Sequence, residues 1–199
     1  MEQRYLPIEN MQTREEGNEA HICGYFAVFD SNYVLWDGAT ESIARGAFDD
    51  SVSGDVRALW NHNTDIVLGR TGAGTFTIKQ DEHGLWGDIT LNLLDSDAKN
   101  AYQRVARGDV SGCSIGFDIA SEKYEIREDG SVHWTIEKVY PLYECSPCVF
   151  PAYTETSIAA RHKSYDEIIK RKNEVWKTGM LDRLKGAKNV KNTNAEEKD

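Results

Sequence analysis

The chain has 199 residues with a net charge of −10, a length most simply read as one domain with an appendage and a charge too acidic to hold nucleic acid by electrostatics alone. At 40% hydrophobic and 28% charged residues it has the make-up of a globular domain, which sets aside an intrinsically disordered chain. No apolar run approaches the roughly 18 residues of a membrane span and no secretory signal opens the sequence, so a cytoplasmic protein with no membrane partner is expected.

The charge is uneven. From Arg161 onward there are 11 Lys/Arg against 7 Asp/Glu, whereas the first 160 residues carry 12 against 26. An acidic body over 1–160 and a mildly basic tail over 161–199 are therefore expected. The four cysteines (Cys23, Cys113, Cys145 and Cys148) do not form the even, dense framework of a disulfide scaffold. Cys145-Ser-Pro-Cys148 is a lone C-x-x-C without the second pair that a zinc site needs, so no metal or other cofactor is expected.

In chain order, His21–Phe29 is rich in aromatic and branched residues and ends at the turn signal Asp30-Ser-Asn, which predicts a strand. Tyr33–Gly38 and Thr40–Ile43 follow as short strands, and Asp49–Asp55 reads as a turn or a short helix. Val56–His62 predicts a strand running into the polar cluster Asn61–Asp65, and Ile66–Arg70 resumes it. Thr75–Lys79 and Leu85–Leu93 form a hairpin about Asp81-Glu-His-Gly84. Asp95–Gly108 changes period: acids at its start, bases near its end and a final glycine predict a helix with Ala98, Ala101, Tyr102 and Val105 on its apolar face. Val110–Ile119, Lys123–Arg127, Val132–Tyr140 and Leu142–Val149 read as four further strands, with a turn at Glu128–Ser131. Ser164–Trp176 predicts an amphipathic helix, its apolar side carrying Tyr165, Ile168, Ile169, Val175 and Trp176. Lys188–Asp199 is too polar to order itself. Many short strands without regular strand–helix alternation predict an α+β fold, a mainly antiparallel β-barrel or sheet core flanked by a few helices.

Ser114 lies in Gly112-Cys-Ser-Ile-Gly116, where two glycines keep bulk from its hydroxyl and let backbone approach as oxyanion donors need. The match to the G-x-S-x-G elbow of α/β-hydrolases is formal only, because that elbow requires a helix after the serine and a strand continues here. A serine needs an activating base. His62, ending a strand between Asn61 and Asn63, could take the proton from Ser114 and return it to the leaving amine. Glu144, an acid among Val139, Leu142, Tyr143, Cys145 and Val149, could orient that base. Glu137 and Asp118 compete for the third role, and Ser111 and Cys113 compete as nucleophiles. Trp60, Trp86, Trp134 and Tyr143 read as core residues, His83 as a solvated turn residue, and Arg70 as an ion-pair partner.

Several short motifs come in one order: Gly24–Phe29, Glu41-Ser-Ile-Ala-Arg-Gly-Ala-Phe48, Asn61-His-Asn63, Leu68-Gly-Arg70, Gly84-Leu85, Ser114-Ile-Gly-Phe117 and Glu144-Cys-Ser146 with Pro151-Ala152. Over roughly residues 5–160 the chain resembles the prohead maturation proteases of tailed bacteriophages, serine peptidases related to the herpesvirus assemblins. The resemblance implies an assemblin-like fold with His62 as general base, Ser114 as nucleophile and Glu144 as third member. It also implies an endopeptidase of the host cytoplasm, enclosed in the immature phage prohead. Its substrates would be scaffold or major capsid protein, with self-cleavage as a further expectation and a homodimer as the form expected by analogy. The alternatives are a non-catalytic capsid-assembly factor that keeps the fold, a zinc module at Cys145 and Cys148, and an α/β-hydrolase-type esterase.

Overall fold

A computed structural model describes residues 2–7, 11–16, 19–149 and 155–193. The chain divides into two compact units, Met1–Ser157 and Ile158–Asp199. Among the described residues of the first, eleven strands form two sheets: β1 (Glu2–Pro7), β2 (Gln12–Glu16), β3 (Glu19–Val28), β4 (Tyr33–Trp36), β5 (Ala39–Ile43), β6 (Arg57–Trp60), β7 (Asn63–Arg70), β8 (Phe76–Gln80), β9 (Gly84–Asn92), β10 (Gly112–Ile126) and β11 (Val132–Cys148). One helix, α1 (Ser96–Ala106), interrupts them. The first sheet runs β1-β10-β11-β5-β4, with β6 also on β11 and β7 on β6; the second runs β2-β3-β9-β8.

The expected barrel is not there: the two sheets are open. The reason lies in β11, whose halves take different partners. Val132–Ile136 pairs in parallel with Ala39–Ile43, while Glu144 and Cys145 pair in parallel with Arg57 and Ala58. The sheet branches at β11 and does not close on itself. These two are the parallel pairings in a core that is otherwise antiparallel among the described residues, as the mainly antiparallel expectation has it.

Four strands read from the sequence merge into two. Val110–Ile119 and Lys123–Arg127 belong to β10, and Val132–Tyr140 and Leu142–Val149 to β11, which passes through a cis Tyr140–Pro141 peptide. Polar residues at the joins mimic loops, but register shifts between Gly116 and Glu122 absorb them, as bulges do in bent hairpins. The core fills the space between the sheets, with Ile22, Phe26, Phe48, Leu85, Ile89, Ile115 and Phe117 all buried. Gly84 lacks a side chain for a local reason: a Cβ there would strike the Ala27 carbonyl across β3–β9.

Helix α1 matches its sequence signals. The Asp95 carboxylate caps it by accepting from the Asp97 N–H at 2.9 Å, and Ala98, Ala101 and Val105 are buried. The tail helix α2 spans Glu155–Thr193, well beyond the Ser164–Trp176 expected. Residues 188–193, expected to be disordered, are helical, continuing a helix already nucleated upstream, where each added residue costs little. Residues 194–199 lie outside the described residues. On α2, Ile168 is buried, whereas Val175 and Trp176 of the expected apolar face are exposed, as are Met180 and Leu181. No described helix is long and apolar enough to cross a membrane.

Candidate active site

Trp60 pairs with Asn63 across β6 and β7, leaving only Asn61 and His62 in the turn. Both have positive φ, 53° and 62°, the signature of a type I′ hairpin turn. Asparagine enters this left-handed region readily, whereas a glycine is usual at the second position. Histidine there is an investment in local strain that a purely structural turn has no reason to make. Asn61 ties the turn to the end of β11: its N–H donates to the Pro147 carbonyl at 3.0 Å, and its Oδ1 accepts from the N–H of Val149, just past the strand, at 3.3 Å.

On β10 and β11 the pairing is Ser114 with Ser146 and Gly116 with Glu144. Alternation puts these four residues on one face, while Cys113, Ile115 and Cys145 face the core. His62 joins the first face. Its Nδ1 lies 2.7 Å from Glu144 Oε1, and its backbone N–H donates to Ser146 Oγ at 3.3 Å. Ser146 Oγ in turn donates to Glu144 Oε2 at 2.5 Å. A carboxylate only accepts, so Nδ1 of a neutral His62 carries the proton and Nε2 presents its lone pair.

Glu144 is 3% exposed, Ser146 and Ser114 fully buried. Three buried side-chain polar atoms lack a hydrogen-bond partner among the described residues: His62 Nε2, Ser114 Oγ and Gln80 Oε1. Two of the three are the atoms between which a serine–histidine pair would pass its proton. Buried orphans of this kind are uncommon in native structures.

The other candidates are engaged elsewhere. Asp118 accepts from the Tyr143 hydroxyl at 2.7 Å, and Glu137 pairs with Lys123 at 3.0 Å. Ser111 is exposed and precedes β10. Cys113 points into the core, donating to the Tyr25 carbonyl at 3.4 Å, and burial pushes its thiol well up, with further push from the Glu144 charge. Burial and Glu144 also raise Cys145, and take Cys148 to about 12. Burial that favours the neutral thiol makes all three poor nucleophiles, because the thiolate is the reactive form. Cys145 and Cys148 fall on opposite sides of β11, so they cannot chelate together, and among the described residues no group of three or more His, Cys, Asp and Glu could hold a metal. The strand running on through Ser114 excludes the α/β-hydrolase elbow.

Gly116 has a use other than oxyanion access. A Cβ there would come 3.1 Å from both Cγ and Cδ of Glu144 and closer still to Oε1, so the missing side chain is the bed on which the carboxylate lies. Ser146 is noted in the sequence only as part of the Glu144-Cys-Ser146 motif; its role in holding the Glu144 carboxylate and the His62 N–H comes from the structure. Of the aromatics expected in the core, Trp134 is buried and Trp60 and Trp86 are half-buried, but Tyr143 is 39% exposed, lifted out at the bulge beside Glu144. Arg70 grips Asp55 with two hydrogen bonds of 2.7 Å, and His83 lies in an exposed turn.

No solved structure matches the chain. The prohead protease of Enterobacteria phage HK97 is 29% identical over 157 residues, covering 77% of this chain and 64% of the relative, so the chain spans less than two thirds of that protein's length. Residues 9–171 match the family described as Caudovirus prohead serine protease, which takes in the His62 turn, Ser114 and Glu144 alike. The chain belongs to the caudovirus prohead serine protease family.

Proposed function

We propose that the protein is a serine endopeptidase of phage capsid maturation, with Ser114 as nucleophile, His62 as general base and Glu144 as the orienting carboxylate. The observation that carries the reading is the Glu144–His62 hydrogen bond at a strained turn, beside two orphaned atoms, His62 Nε2 and Ser114 Oγ. In this mechanism His62 Nε2 takes the proton as Ser114 Oγ attacks the scissile carbonyl. The imidazolium, steadied by Glu144, then protonates the leaving amine, and a water repeats the sequence to release the acyl group. The substrates are scaffold or major capsid protein, met inside the immature prohead in the host cytoplasm, with self-cleavage as a further outcome. An assemblin-like relationship is part of the same reading. So is a homodimer, which the exposed Val175, Trp176 and Met180 of α2 favour and which sedimentation of wild type against Trp176→Glu reads out.

The test is co-expression with the cognate capsid and scaffold proteins, read by intact mass. Ser114→Ala and His62→Ala are each expected to abolish defined fragments, with kcat down on the order of 10⁴-fold or more, and Glu144→Gln to lower it by about 10³–10⁴. Ser114→Ala removes an unpaired buried hydroxyl, so it should melt no lower than wild type. Unchanged cleavage by Ser114→Ala would overturn the nucleophile. Normal assembly with no cleavage by wild type would favour a non-catalytic assembly factor.

A further inference from the structure

The segment of β10 that carries Ser114 has two neighbours. On one side is β11 with Glu144 and Ser146; on the other is β1, the chain's own Glu2–Pro7, running antiparallel with Tyr5 directly opposite Ser114. Strand β1 lies at the end of its sheet, with β10 as its one sheet partner among the described residues. A protease takes its substrate as an extended segment, and such segments bind by adding a strand to a sheet edge. A peptide added outside β1 would lie two strand spacings from β10, about 9.5 Å. Attack on a carbonyl requires roughly 3–3.5 Å. Ser114 Oγ and His62 Nε2 are also shut off from solvent in this conformation.

We propose that β1 occupies the substrate's own position: an extended segment of the polypeptide to be cut replaces Glu2–Pro7 along Gly112–Phe117, with its scissile residue where Tyr5 now lies. The site is therefore a strand slot specific for extended peptide backbone, and β1 is its resident occupant. Backbone pairing supplies affinity for any extended chain, while the rate of reaction scales with the fraction of molecules whose slot is vacated. In a prohead, where substrate polypeptide is concentrated, exchange favours the substrate; outside it, the internal strand wins by its high effective concentration.

This inference rests on the serine-peptidase reading, and the experiment separates the two. The full chain and a variant lacking residues 1–7 are treated with a fluorophosphonate probe, and labelling of Ser114 is timed by intact mass, with Ser114→Ala as the blank. The truncated protein should label about tenfold faster or more, and a synthetic Glu2–Pro7 peptide should slow it again in proportion to its concentration. Should the truncated chain not fold, Arg4→Pro and Tyr5→Pro in the full chain loosen the strand by removing ladder donors, and the one that removes a bond to β10 should label faster. Equal labelling rates for the full chain and every loosened form would overturn the slot while leaving the nucleophile in place. Absence of Ser114-dependent labelling in all forms would overturn the serine-peptidase reading itself.

Discussion

Ser146 Oγ is joined to Glu144 twice over: directly, by a 2.5 Å hydrogen bond to Oε2, and through His62, whose N–H it accepts and whose ring Glu144 holds. One buried hydroxyl thus fixes both the carboxylate and the turn that presents the imidazole. Ser146→Ala should strand the His62 N–H and a carboxylate oxygen, costing about 1–3 kcal/mol of stability for each group left unpaired. Misplacing the base should lower kcat on the order of 10²-fold with little change in KM. Ser146→Thr, which keeps the hydroxyl, should recover most of kcat. Steady-state kinetics on a capsid-derived peptide checks both variants, and equal losses in Ala and Thr would show that packing and not the hydroxyl matters.

Gly116 and Glu144 compete for the same space. Gly116→Ala should push the carboxylate off its bed, lower kcat and cost about 1–3 kcal/mol through overpacking. Combining it with Glu144→Ala removes the clash, so the melting loss of the pair should be smaller than the sum of the singles while activity stays low. Additive losses in a thermal melt would contradict the contact.

The His62 turn predicts a separation of stability from activity. His62→Gly relieves the positive φ of 62° and should be more stable than His62→Ala by roughly 1 kcal/mol. Both should be inactive. Equal denaturant midpoints for the two would mean that the turn relaxes out of the left-handed region.

His133 gives the fold a pH dependence away from the site. It is buried between Thr40 Oγ1 at 2.7 Å and Ser42 Oγ at 2.9 Å. Burial, then the nearby Arg127, hold its pKa below the ordinary 6.5, against an upward pull from Glu125 and Glu41. The unfolded chain therefore binds this proton more readily than the folded one, and stability rises with pH where that difference applies. The contribution is full above about 6.5 and is lost as pH falls from there toward the lowered folded value. A chemical-denaturation series from pH 7.5 to 5 should show the decline, and His133→Gln should flatten it. An unchanged slope in the variant would assign the effect to other groups.

Much was determined by the sequence alone, wherever the physical cause is local. Asp95 and Gly108 bracket α1 because capping and left-handed closure involve only neighbouring residues. The Asp81–Gly84 and Glu128–Ser131 turns follow from their own residues, and the ordered motifs from Gly24 to Ser146 point to the family. Tertiary structure decided the rest. Nothing in the spacing of Asp118, Glu137 and Glu144 says which carboxylate meets His62; the register of β10 on β11 does, by placing Glu144 opposite Gly116. The tight turn at Asn61-His62 was hidden because its signal is normally a glycine. The branching of β11 onto β5 and β6, and the seating of Tyr5 opposite Ser114, depend on pairings between residues 87 or more positions apart, whose energies exist only once the chain has closed those loops.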